Sequence, residues 1–99
     1  MAKIIWTERA VRHLEGIYEY IARDSKVYAI NFINSLIKIV EELELVPYMG
    51  RSVPEFKEYN LREILFKNYR IVYRISQSGD VEIIGIIHGS RDFSRALDE

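Results

Sequence analysis

The residues best suited to chemistry are arginines set two apart along a stretch with strand character, Tyr69-Arg70-Ile71-Val72-Tyr73-Arg74-Ile75. A side-chain period of two sends Tyr69, Ile71, Tyr73 and Ile75 to one face and Arg70, Val72 and Arg74 to the other. From Leu61 to Arg74 there are four cations (Arg62, Lys67, Arg70, Arg74) and one anion (Glu63), while the whole chain carries a formal charge of −1. Positive charge gathered locally lets a protein that is not basic overall grip a phosphate backbone or an acidic partner. Arginine suits this because its planar fork bonds phosphate or carboxylate bidentately. Arg62 shares the Arg70 face if the hairpin pairs in the simplest register. Arg51 and Lys67 extend the candidate binding set of Arg70 and Arg74. The plainer alternative is an exposed sheet face decorated with long charged side chains.

Beyond the last strand-like run lies His88-Gly89-Ser90-Arg91-Asp92. His88 is the conventional candidate for an acid or base. Arg91 would then sit beside Arg70 at the strand end; in the alternative reading Asp92 simply engages Arg91 or caps a terminal turn. His13, next to an apolar helical stripe, reads as structural. Tyr69 and Tyr73 read as core residues. Glu41, Glu42 and Glu44 read as a solvated helix end. There is no glycine-rich phosphate loop and no nucleophile elbow. With two histidines far apart and no cysteine, neither a zinc site nor a disulfide is expected, and no cofactor is called for.

Several elements must position these groups. Ninety-nine residues, 48% hydrophobic and 29% charged, fit one domain spanning residues 1–99. The N-terminal apolar run is too short for a signal peptide, and no run approaches a membrane span, so a cytoplasmic protein is expected. Lys3 to Trp6 reads as a strand and Thr7 as a helix cap. A first helix from about Glu8 to Arg23 carries the stripe Ala10, Val11, Leu14, Ile17, Tyr18 and Ile21. Asp24-Ser25 breaks it and can cap the next helix. A second helix from about Lys26 to Val46 follows as an antiparallel hairpin and ends at Pro47. Residues 51–59 read as a loop. Three strands then run from about Leu61 to Phe66, Tyr69 to Ile75 and Val81 to His88, joined by Lys67-Asn68 and by a loop in which Gly79 supplies positive φ. The last strand, apolar on both faces, belongs inside the sheet. The order β-α-α-β-β-β predicts an α+β fold: an antiparallel sheet with the N-terminal helical hairpin packed on one face. Phe93 and Leu97 are candidate anchors for the polar C-terminal tail.

That order, with Pro47-x-x-Gly50-Arg51-x-x-Pro54-Glu55, Leu61-Arg62-Glu63, the Tyr69-Arg70 strand and His88-Gly89-x-Arg91-Asp92, resembles the RelE/ParE superfamily of type II toxins over nearly the whole chain. The resemblance implies a growth-inhibiting toxin, associated with plasmid stabilization and neutralised by a cognate antitoxin in a hetero-oligomer. RelE-like members are ribosome-dependent mRNA endonucleases; ParE-like members act on DNA gyrase and are not known as nucleases. In the nuclease case Arg62, Arg70 and Arg91 would supply cations for the developing phosphorane charge, and His88 the base. Ile64 stands where RelE-like members carry a second-strand lysine, and Leu97 where some carry a C-terminal tyrosine. With the long helical hairpin and the Gly-Arg…Pro-Glu loop, these departures make the chain more ParE-like. A non-toxic binding module or decayed toxin is the third alternative.

Overall fold

The computed structural model describes residues 1–91 and 95. Asp92, Phe93 and Leu97 lie outside the described residues. The elements run β1 (Ile4–Trp6), α1 (Glu8–Ala22), α2 (Lys26–Glu41), β2 (Arg51–Ser52), β3 (Leu61–Phe66), β4 (Tyr69–Ile75) and β5 (Val81–His88). Each helix begins at its sequence-predicted cap. The Thr7 hydroxyl accepts the Ala10 N–H at 3.1 Å, and Ser25 accepts the Tyr28 N–H at 3.1 Å. The Thr7 hydroxyl also donates to the Ile83 carbonyl at 2.7 Å, so the α1 cap is tied to the sheet. The second helix stops at Glu41, short of the expected Val46. The chain tightens there into a 3-10 turn, Glu42–Glu44, ahead of Pro47.

Strands pair in the order β1-β5-β4-β3-β2. The β3-β4-β5 meander is antiparallel, with β5 inside the sheet as its two apolar faces require. The α+β class holds, but the sheet is mixed rather than wholly antiparallel. β1 lies parallel to β5, Ile4 opposite Val81, and covers what would otherwise be that strand's open edge. Residues 51–59 also hold more order than a loop. Arg51 and Ser52 form β2, opposite Glu63 and Arg62, and Pro54–Tyr59 is 3-10 helical apart from a kink at Phe56.

Each sheet face has its own core. The helices bring Ala10, Ile17, Phe32, Leu36, Val40 and Leu43 onto Phe66, Ile71, Tyr73, Val81, Ile83 and Ile86. On the reverse face Val53, Leu61, Val72 and Ile87 cluster, with Phe56 and Ile84 half-buried against them. The segment after β2 therefore serves as a partial second layer. A bulge makes the double use of β5 possible. Val72 pairs with Gly85 and Tyr73 with Ile83, so Ile84 is skipped. The extra residue inverts the alternation, and Ile83 and Ile86 reach the same core despite their odd spacing.

Tyr73, fully buried, fastens the turn that leads into β2. Its hydroxyl donates to the Pro47 carbonyl at 2.7 Å and accepts the Gly50 N–H at 2.9 Å. A Cβ at Gly50 would lie 2.6 Å from that hydroxyl and 2.7 Å from the Glu63 carbonyl oxygen, so only glycine fits this approach. Gly79 adopts φ +88 in the β4–β5 turn, and Lys67 takes the left-handed φ of 54 in the β3–β4 turn. No helix among the described residues is long and apolar enough to cross a membrane.

Candidate functional site

Arg70 sits at the centre of a charge cluster on the reverse face. β4 places it beside Leu65 of β3 and Ile87 of β5, with its side chain only 15% exposed. Strand parity puts Glu63 on this same face, between Leu61 and Leu65, where it is almost fully buried. A buried carboxylate is costly unless cations and hydrogen bonds surround it. Here each oxygen of Glu63 takes one arginine: Oε1 accepts from Arg70 Nε at 2.5 Å, and Oε2 from Arg51 Nε at 2.8 Å. The outer edge of the Arg70 guanidinium then meets Glu55 in a bidentate pair, Nη1 to Oε2 at 2.8 Å and Nη2 to Oε1 at 2.9 Å. This fork holds the Glu55 carboxyl below its ordinary range, and Glu55 in turn holds Arg70 more firmly protonated.

An open groove of roughly 580 Å³ runs past this cluster, lined by Arg51, Glu55, Lys67, Arg70, His88 and Ser90 among others. Four sequence-predicted residues, Arg51, Lys67, Arg70 and His88, thus border one depression. They do not form one exposed cationic face. Arg70 and Arg74 share a face as expected, but each is engaged by carboxylates: Arg74 binds Glu82 across the strands at 2.6 Å. Sequence reasoning missed Glu55 as a partner because it lies fifteen residues from Arg70.

Arg62 requires a correction. The two-residue turn at Lys67-Asn68 sets Phe66 opposite Tyr69, and by the same count Arg62 opposite Tyr73. Directly opposed residues share a face, so Arg62 points to the tyrosine side and away from Arg70. There its Nη1 donates to the Gly50 carbonyl at 2.7 Å, and its guanidinium stands 4.9 Å from the Tyr48 ring centroid.

His88 is paired opposite Tyr69, and the two rings meet edge to face at 5.2 Å. By parity its side chain leaves the sheet on the tyrosine face too, although the residue also lines the groove. Its Nδ1 lies 2.7 Å from the Ser90 hydroxyl. Arg91 lines a second groove with His88, Arg12, Tyr20 and Tyr28, between the helices and the end of β5. Arg91 therefore keeps company with His88 rather than with Arg70. His13 is structural: its Nδ1 accepts the Ile86 N–H at 3.1 Å. Tyr69 and Tyr73 have phenol pKa values raised chiefly by burial, so both stay protonated and neither is available as a base. No group of three or more metal-ligating side chains occurs among the described residues.

Residues 4–93 match the family of ParE toxins of type II toxin-antitoxin systems, parDE. The chain belongs to the ParE toxin family. "Putative toxin Y4kP" of Sinorhizobium fredii is 33% identical over 97 residues, which cover 96% of each chain. The fold is similar to a chain in the chromosomal ParDE system of P. aeruginosa, with a TM-score of 0.72, 20% identity, and coverage of 89% of this chain and 96% of that one. It is also similar to a chain of the RelBE2 toxin-antitoxin complex of Mycobacterium tuberculosis, with a TM-score of 0.64, 19% identity, and coverage of 88% and 96%. This ParE-family chain therefore has the fold seen in both branches of the expected superfamily.

Proposed function

We propose that this ParE-family toxin arrests growth by binding DNA gyrase in the cytoplasm, without cleaving RNA, and that a cognate antitoxin neutralises it in a hetero-oligomeric complex. One observation carries the reading: the central cation, Arg70, is held on its inner edge by Glu63 and on its outer edge by Glu55, and it leaves the sheet on the face opposite His88 although both residues line the groove. Phosphodiester cleavage needs a base at the 2′-hydroxyl and a cation at the developing phosphorane, and a guanidinium already held by two carboxylates offers that phosphorane little of its charge. Arg62 does not repair the gap. It shares the His88 face but sits opposite Tyr73, four residues along β4 from Tyr69, or about 13 Å. Inhibition by binding asks only for a surface. A type II system supplies the antitoxin by its definition, and both structural relatives come from such pairs.

Purified toxin added in excess to gyrase should block supercoiling of relaxed plasmid; unchanged supercoiling sinks the proposal. The second reading, ribosome-dependent mRNA cleavage, draws on the shared groove of His88 and Arg91. It requires new 5′ ends on translated message that vanish in His88→Ala plus Arg91→Ala.

A further inference from the structure

We propose that the outer edge of Arg70 is a carboxylate-exchange site, which Glu55 fills in the isolated chain and an acidic side chain of a partner protein fills in a complex. The inference stands whichever target the toxin acts on.

The two carboxylates on Arg70 differ in kind. Glu63 is buried, sits on the rigid β3 strand and is shared with Arg51, so it is a permanent counter-ion. Glu55 has 42% of its side chain exposed and comes from the short segment after β2. The neighbouring Phe56 is half-buried against Val53, Leu61, Val72 and Ile87, so the segment can stay anchored while the Glu55 side chain swings away. Charge explains why the place must be filled. Arg51 and Arg70 together carry two positive charges against one on Glu63, and Lys67 on the same groove adds a third. With Glu55 gone, two well-placed N–H donors of Arg70 would face the groove. An exposed ion pair contributes little net stability, so replacing one carboxylate with another costs little.

The geometry favours a carboxylate over a nucleic-acid phosphate. Glu55 already shows that a planar carboxylate fits the fork with both oxygens at 2.8–2.9 Å. Binding of single-stranded nucleic acid usually adds a stacking platform. The groove's only tyrosine, Tyr69, is packed edge to face between Phe32 at 5.9 Å and His88 at 5.2 Å. A chain of net charge −1 also gives a polyanion no general attraction. A protein segment presenting one aspartate or glutamate beside apolar residues would match Arg70 with Pro54 and Leu65 on the groove wall.

The test uses the full chain, 15N-labelled, with the Arg70 side-chain NMR signals followed on addition of acetate or dimethyl phosphate against chloride at equal ionic strength. Vacating the site by Glu55→Gln should tighten acetate binding at Arg70 about tenfold relative to the parent, the scale of a charge-assisted hydrogen bond regained. The Arg70 Nη signals should move while Nε, held by Glu63, stays in place. If Glu55→Gln does not fold, Glu55→Asp, which keeps the charge but shortens the reach, should shift acetate binding the same way. Equal acetate binding by variant and parent overturns the exchange site. Preference for dimethyl phosphate over acetate overturns the protein partner in favour of a nucleic acid.

Discussion

Tyr73→Phe isolates the bond pair that fastens the turn before β2. The substitution removes one oxygen from a fully buried ring and leaves its packing intact, so no sizeable cavity forms. What is lost is a donor to Pro47 at 2.7 Å and an acceptor for Gly50 at 2.9 Å. The Gly50 N–H is in a buried residue, and an orphaned donor there costs about 1–3 kcal/mol. Pro47 is half-buried and its carbonyl can recover water, so its share is at the low end, about 0.5–1 kcal/mol. The sum is about 1.5–4 kcal/mol, which lowers Tm by roughly 6–32 °C in a domain of this size. Urea unfolding followed by the fluorescence of Trp6, the chain's single tryptophan, reads the change directly because Trp6 packs on the helix-side core. The midpoint should fall while the m-value stays constant. Gly50→Ala completes a double-mutant cycle. Its Cβ would strike the Tyr73 hydroxyl at 2.6 Å, the Glu63 carbonyl at 2.7 Å and the Tyr73 ring Cε1 at 2.8 Å; removing the hydroxyl relieves only the first of these clashes. The double variant should therefore be less destabilised than the two single changes summed, by at least about 0.5 kcal/mol. A Tyr73→Phe cost below about 0.5 kcal/mol would refute the claim that this hydroxyl holds the turn.

Two further substitutions test the elements that carry the site. Gly16 lies exposed inside α1 with nothing within 4 Å of where a Cβ would stand, so Gly16→Ala should raise stability by about 0.5–1 kcal/mol in the same urea assay, and a loss would contradict the helix packing. Thr7→Val keeps the shape but removes both the α1 cap and the bond to Ile83; a loss of about 1–2 kcal/mol is expected, and an unchanged midpoint would show the cap to be idle.

The elements were largely legible because their signals are local. The α1 stripe, the caps at Thr7 and Ser25, and the limits of β3, β4 and β5 all follow from residues within a few positions of one another. β2 was not legible: two residues carry no period, and their order comes from pairing with Arg62 and Glu63. The parallel β1–β5 pair is equally non-local, joining residues nearly eighty positions apart. The misplacement of Arg62 has a different origin. A two-residue turn already implies Phe66 opposite Tyr69, and counting back sends Arg62 to the Tyr73 face and Glu63 toward Arg70. The same count marks Glu63, between Leu61 and Leu65, as a charge buried among apolar neighbours that must find a cation.

That buried charge changes what an arginine-rich strand means. Alternating arginines look like a surface awaiting a polyanion, yet the face they share is half core: Val72 lies between them, buried, and Val53 and Phe56 fold over it. Cations on such a face lose water and draw carboxylates from within the chain. Glu63 serves the inner edge of Arg70, Glu82 serves Arg74, and Glu55 takes the one edge left toward solvent. What remains for a partner is consequently not net charge but a shaped place now held by a replaceable glutamate. Specificity at such a place depends on the fork geometry of one guanidinium and on the apolar residues beside it. Under the exchange proposal that is the recognition of a defined protein segment, with one arginine as the point of contact on a chain of slight negative charge.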